Sequence, residues 1–421
     1  MNIYFYKGKE NILNLSSPDP DEVKKDAITK IKTDLSKAFD TKGLSFLIGS
    51  GCSSFWVDDK EVGIPTMKPM ASEFYTPNDD NIYCLTEEER DYIKQTLLID
   101  IDGDSFKGNI ERFLETLHSY MFYLNRINDD DDIVGVKSDD KAKLILIIKK
   151  TRLFILSKCL NETNNESDTP LVSLYETFYR KLLYRSPNLA KPSIFTTNYD
   201  LYSEKALDNI GVHYANGFSG GINKYFNPTI FNYAFAEKMD LSQSKWNVID
   251  NFIYLYKIHG SVNWIEDESL NKLYRIREVQ DVSFDNLQTK QNVMIYPSPA
   301  KQNASLGTPY SDLFREFQKK IMQNNNILIT MGYSFSDEHI NNLIYQALAI
   351  PSFRLITFSE INENIQKLID LNDPRIWIIG GQLDADTNIH YFKQIVELLL
   401  PDLSNDEIDE KLEAVMKLIK Q

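Results

Sequence analysis

Six short apolar runs constrain this chain more than any other feature: Ser193–Thr197, Phe252–Ile258, Val293–Tyr296, Ile327–Met331, Arg354–Phe358 and Arg375–Ile379. Each has the brevity and near-continuous apolar character of a strand buried on both faces. Segments of helical periodicity at 310–323, 337–348, 361–371 and 388–400 lie between or after them. Alternation of this kind predicts an α/β chain with a doubly wound, Rossmann-like, mostly parallel sheet.

A further run, Leu44–Ile48, stands far upstream and leads directly into Gly49-Ser50-Gly51-Cys52-Ser53-Ser54. Ahead of it, Ile28, Ile31, Leu35 and Phe39 recur at helical spacing, which predicts an amphipathic helix over 21–40. The sheet is therefore split by residues too numerous for a loop. The expected organisation is residues 1–69 with the first helix, strand and glycine turn, a mainly helical insertion at 70–190, and the remaining core at 191–400. A terminal helix is expected within 401–421, over 404–420. The acidic run Asp129–Asp132 is expected in a solvated loop, because like charges repel.

Composition narrows the function. The 421 residues are 42% hydrophobic and 25% charged, the balance of a globular chain with a sizeable core. A formal net charge of −15, with no Lys/Arg-rich block, argues against direct nucleic-acid binding. Cys52, Cys84 and Cys159 are widely spaced and contain no Cys-x-x-Cys pair, so neither a disulfide framework nor a zinc knuckle follows. The N-terminal residues lack the apolar core of a signal peptide. The stretch Leu144–Leu160 is broken by Lys149, Lys150, Arg152 and Lys158, which suits a buried helix and not a membrane span. A cytoplasmic protein without membrane attachment is expected.

Four segments at strand ends carry the candidate chemistry. Glycines at a strand-to-helix turn, Gly49 and Gly51, let backbone approach a pyrophosphate, although Ser54 occupies the third glycine position of the hydride-enzyme fingerprint. The other reading is a tight turn without a ligand. Thr196-Thr197-Asn198-Tyr199-Asp200 follows an apolar strand, where ligands of open sheets bind. Asp200 taken alone reads as a cap of the next helix, while the pentapeptide as a whole reads as a site. Lys257-Ile258-His259-Gly260-Ser261 places an imidazole at a strand end, suited to moving a proton near neutral pH. In Met331-Gly332-Tyr333-Ser334-Phe335-Ser336-Asp337, Ser336 is the expected helix cap, while Gly332 and Ser334 suit phosphate or ribose contacts. His118, His213, His339 and His390 show no metal-ligand spacing, and no Gly-x-Ser-x-Gly elbow is present.

The order of these segments resembles the sirtuin superfamily over roughly 41–380, with Gly63-Ile64-Pro65 similar to the Gly-Ile-Pro that follows its glycine turn. The resemblance implies that NAD is the substrate, with its phosphates on Gly49, Ser50, Gly51, Cys52 and Ser53 and further contacts from Thr197. It implies that Asn198 contacts the nicotinamide ribose and positions water, and that Asp200 lines the nicotinamide pocket. His259 is then a base on the ribose hydroxyls, and Gly332 and Ser334 hold the phosphate and adenosine side. Two departures stand out. Residues 261–331 contain no cysteine, so the four-cysteine zinc module of the deacylases is not expected, and Thr66-Met67-Lys68 replaces their Asp-Phe-Arg. This variant is similar to sirtuin-like NAD hydrolases of bacterial anti-phage defence, which implies NAD depletion, a homo-oligomer and a HerA-type hexameric ATPase or translocase as partner. An ADP-ribosyltransferase or deacylase of the same fold, and a non-catalytic NAD or ADP-ribose sensor, are the alternatives.

Overall fold

The computed structural model describes residues 2–13, 19–57, 60–125, 138–164, 169–183, 185–186, 188–238, 246–267, 275–290, 292–294, 309–384 and 387–401. Its strands, in chain order, are β1 (Asn2–Lys7), β2 (Glu10–Asn11), β3 (Gly43–Ile48), β4 (Ser54–Val57), β5 (Lys60–Gly63) and β6 (Ser193–Thr196). There follow β7 (His213–Ala215), β8 (Phe218–Ser219), β9 (Lys224–Phe226), β10 (Ala236–Lys238), β11 (Trp246–Val248) and β12 (Phe252–Lys257). The last are β13 (Gly260–Glu266), β14 (Ile276–Glu278), β15 (Asn292–Met294), β16 (Asn326–Met331), β17 (Arg354–Phe358) and β18 (Ile376–Gln382).

Nine of these form one sheet in the order β2-β1-β18-β17-β16-β3-β6-β12-β7. Every pairing from β18 across to β7 is parallel, and β1 lies antiparallel to β18 with β2 at the edge beyond it. After β3 the chain winds outward through β6 and β12, then returns to the other side of β3 and winds outward through β16 and β17. The reversal lies beside β3, which makes its carboxyl end the place for a ligand crevice. The expected doubly wound sheet is present.

Alternation along each strand builds both faces of the core. Leu44, Phe46 and Ile48 of β3 face one layer with Ile194, Ile329 and Met331, while Leu47, Phe195 and Leu328 face the other. The first layer includes the helix Pro20–Phe39, as the periodicity of Ile31, Leu35 and Phe39 predicts, and the helices Ser138–Asn164 and Thr169–Leu183. The second includes Tyr310–Ile321, Glu338–Leu348 and Glu363–Asp370. Between β5 and β6 the described secondary structure is helical, beginning at Met67–Tyr75 and ending at Thr169–Leu183.

Three expectations change. Val293–Tyr296 is not a strand of the parallel sheet: its described part belongs to β15, in a separate five-stranded antiparallel sheet ordered β15-β13-β14-β9-β8. The glycine turn does not enter a helix. A single 3-10 turn, Ser50–Cys52, leads into the β4–β5 hairpin instead. The segment 388–400 is helical only over Phe392–Gln394 and a π-helical turn, Ile395–Leu399. The N-terminal residues, for which the sequence suggests no element, form β1. The expected helix at 404–420 and the Asp129–Asp132 loop lie outside the described residues. No described helix is long and apolar enough to cross a membrane.

Candidate active site

One register row aligns the four candidate segments. Lys257 of β12 pairs with Thr196 of β6, Thr196 with Ile48 of β3, and Ile48 with Met331 of β16. The residues that leave the four strands, Ile258, Thr197, Gly49 and Gly332, each lie one residue beyond that row. In-register parallel pairing therefore delivers all four to the same edge of the sheet.

There they border a cavity of about 770 Å³. Ser50, Ser53, Thr197, Asn198, Asp200, His259, Gly332 and Ser334 all line it. Gly49, Gly51 and Cys52 do not, and their part is different. A Cβ built on Gly49 would lie 2.4 Å from the Gly332 carbonyl oxygen, and one on Gly51 would lie 2.9 Å from Gly332 Cα. Gly332 itself has φ +60°, and a Cβ there would lie 2.7 Å from the Cys52 nitrogen. The glycines thus let two strand-end loops pack backbone against backbone. The turn's N–H groups are largely engaged within the protein: Gly49 donates to Met331, Gly51 to Gly332, Cys52 to Gly49 and Ser53 to Ser50. Cys52 is fully buried, and burial, with a smaller contribution from Asp200, pushes its thiol well above the ordinary value.

Polar contacts tie the glycine turn to the β6 loop. Asn198 Nδ2 donates to the Gly49 carbonyl and to Ser53 Oγ, both at 2.9 Å. Ser53 Oγ donates in turn to Asp200 Oδ2 at 2.6 Å. The other oxygen of Asp200 accepts from the Tyr202 N–H at 3.2 Å, at the start of the helix Tyr202–Asn209. Asp200 therefore serves both readings left open by the sequence: it steadies a helix start and faces the cavity. Asn198 and Asp200 are 8% and 5% exposed, so their polar atoms are held in a largely dry setting where each hydrogen bond counts for more.

His259 occupies the turn between β12 and β13, followed by Gly260 at φ +87°. Its Nε2 is 3.1 Å from Asp337 Oδ2, yet it has no aligned hydrogen-bond partner among the described residues. Asp337 Oδ1 caps the helix Glu338–Leu348, accepting from the His339 and Ile340 N–H groups. Asp337, not Ser336, is thus the cap. Ser336 instead pairs its hydroxyl with that of Ser334 at 2.9 Å and joins it in the cavity wall.

The opposite wall comes from the helical segments after β5. Asn109, Glu111, Arg112 and Glu115 line it from the start of the helix Ile110–Leu124, and Ile155 and Cys159 from the helix Ser138–Asn164. The Tyr199 hydroxyl donates to Glu111 Oε1 at 3.4 Å, joining this wall to the β6 loop. None of these residues is singled out by the sequence, because local periodicity does not reveal what a helix packs across. Asp337 had a detectable signal, as an acidic residue at a helix start, but its proximity to His259 is tertiary.

The arrangement can hold a substrate between a hydrogen-bonding amide and an imidazole. Carboxylates (Asp200, Asp337, Glu111, Glu115, Glu338) border the same space and suit positive charge developing there. Among the described residues no group of three or more His, Cys, Asp or Glu is placed to hold a metal ion.

Residues 192–359 match the family model of the SIR2-like domain. The match spans β6 to β17 and takes in Asn198, Asp200, His259, Gly332 and Ser334. It supports a sirtuin-like, NAD-binding protein. The Gly49–Ser53 turn lies outside the matched residues but is joined to them by the Asn198, Asp200 and Gly332 contacts. No curated protein matches the chain.

Proposed function

We propose that this sirtuin-like chain is an NAD hydrolase, breaking the bond between nicotinamide and ribose and passing the ribosyl carbon to water. The observation that carries the reading is the shared cavity: Asn198, Asp200 and His259 border one space with the glycine turn and the Gly332–Ser336 loop. A volume of about 770 Å³ is of the size that accepts a ligand as large as a dinucleotide.

The C1′–N bond breaks with its electron pair leaving on nicotinamide, so the ribosyl carbon turns electron-poor. Asp200 and neighbouring carboxylates offset that charge. Asn198 orients the attacking water and the ribose hydroxyl, its own amide held by Gly49 and Ser53. Water bonds to C1′ and loses a proton, and His259 takes a proton from the ribose hydroxyl or from that water. Asp337, 3.1 Å from Nε2, stabilises the resulting imidazolium. Gly332, Ser334 and Ser50 hold the diphosphate and adenosine side, with Thr197 beside them.

Absence of cysteine from 261–331 disfavours the zinc-braced peptide cleft of a deacylase and leaves water as the simplest acceptor. The likeness to anti-phage effectors supports NAD depletion as the outcome, with a hexameric translocase holding the trigger. The test is incubation of the purified chain with NAD, alone and with such a partner. Release of nicotinamide and free ADP-ribose is expected. Labelled protein would replace hydrolysis by transfer, and binding without turnover in every condition would reduce the chain to a sensor.

A further inference from the structure

Lys257 is the last residue of β12 and is 1% exposed. Its ammonium lies 3.0 Å from Glu204 Oε1 on the helix Tyr202–Asn209. It also donates to two consecutive carbonyls of the β6 loop, Tyr199 at 3.4 Å and Asp200 in a closer contact. The Tyr199 carbonyl further accepts from the Val262 N–H at 3.0 Å. Glu204 is itself buried, and its Oε2 has no hydrogen-bond partner among the described residues.

Such a pair is a poor means of stabilising a fold. Burying both charges costs as much as their attraction returns, and well-packed apolar residues are often as stable. What two apolar side chains cannot do is bind carbonyl oxygens. The peptides gripped by Lys257, Tyr199–Asp200 and Asp200–Leu201, are those on either side of Asp200, whose side chain faces the cavity. Rotation of either peptide would turn Asp200 away from Ser53, whose hydroxyl it accepts from and which in turn accepts from the Asn198 amide.

We propose that the buried Lys257–Glu204 pair is a positioning device: it holds the Tyr199 and Asp200 carbonyls so that Asp200 faces the cavity and, through Ser53, keeps the Asn198 amide in place. The inference rests on the NAD-cleavage reading. Lys257 touches no substrate, and its effect passes through the loop.

The test compares Lys257→Met with the double variant Lys257→Met/Glu204→Leu, by calorimetric melting, ADP-ribose titration and steady-state nicotinamide release. The single variant melts early, because an unpaired carboxylate stays buried. The double variant recovers the melting temperature while kcat stays about 100-fold or more down, the scale of a misplaced catalytic group. Its ADP-ribose affinity remains within about threefold, under 1 kcal/mol. Recovery of kcat together with melting temperature would make the pair merely structural and overturn the proposal. So would loss of ADP-ribose binding in step with kcat. If the wild type releases no nicotinamide, the hydrolase reading fails separately, and loop placement is read from binding. NAD weakened about tenfold in the double variant, with ADP-ribose unchanged, then supports the pair, and equal affinities refute it.

Discussion

Gly49 and Gly332 are in backbone contact: a Cβ on the first would meet the carbonyl oxygen of the second at 2.4 Å. The contact joins the ends of β3 and β16, the neighbouring strands on either side of the winding reversal. Gly49→Ala must push that carbonyl away and costs about 1–3 kcal/mol or more, the range of forced overpacking. Gly332→Ala adds roughly 1–2 kcal/mol for the left-handed backbone at φ +60°. Both variants lower the melting temperature and weaken ADP-ribose binding. A wild-type melting curve for Gly49→Ala would mean that the two loops do not touch.

Asn198→Ala and His259→Ala separate in a different way. Each reduces nicotinamide release by about 10²–10⁴-fold, the usual cost of a positioned acid, base or water-holding group. Only Asn198→Ala also destabilises, by about 1–3 kcal/mol, since it strips the Gly49 carbonyl and Ser53 of a donor. Single-turnover assays beside thermal melts show the split. Full turnover by either variant removes that residue from the chemistry.

Thiol accessibility reports on the turn independently of substrate. Cys52, Cys84 and Cys159 are all buried, and burial raises the pKa of each, that of Cys159 to about 12. An aromatic disulfide reagent at neutral pH therefore labels none of them in the folded chain and all three in denaturant. Rapid labelling of Cys52 in the native protein would show that the glycine turn opens.

Acid sensitivity has an identifiable source in His390. Burial depresses its imidazole from 6.5 to about 4. Above 6.5 both folded and unfolded chains hold it neutral, and its contribution to stability is intact. As pH falls from 6.5 toward 4 the unfolded chain binds a proton that the fold refuses, so stability is lost across that window. His118, also lowered chiefly by burial, acts in the same sense. Asp34 and Asp373 are lowered carboxylates whose stabilisation disappears only below their ordinary value of 3.8. His390→Gln flattens the melting temperature between pH 6.5 and 4, and unchanged slopes would assign the acid limb elsewhere.

The parallel sheet was legible because its strands are continuous apolar runs, and the motifs were legible because each follows such a run directly. The antiparallel sheet was not. Gly260–Glu266 is buried along nearly its whole length, so no polar alternation marks β13 as a strand turning out of the main sheet. β1 carries alternation, with Ile3 and Phe5 against Tyr4 and Tyr6, but its partner β18 lies at the far end of the chain, beyond the reach of a local pattern. The cavity wall from Asn109 to Glu115 was hidden because a helix pattern reveals its apolar face and not what its first turn overlooks. Ser336 and Asp337 are both good caps in sequence, and what distinguishes them is that Asp337 accepts from the His339 and Ile340 N–H groups while Ser336 pairs with Ser334.

The place of β3 between β6 and β16 also governs when the cavity can exist during synthesis. Ile48 emerges from the ribosome early, but its partners Thr196 and Met331 are made much later. Pairings of such long sequence separation form late and cannot be anticipated by a partial chain. A nascent polypeptide stalled or cut before β16 carries Asn198 and His259 yet lacks Gly332, Ser334 and Asp337. Translation order therefore withholds the complete cavity from unfinished chains, so a partial chain lacks one wall of the site.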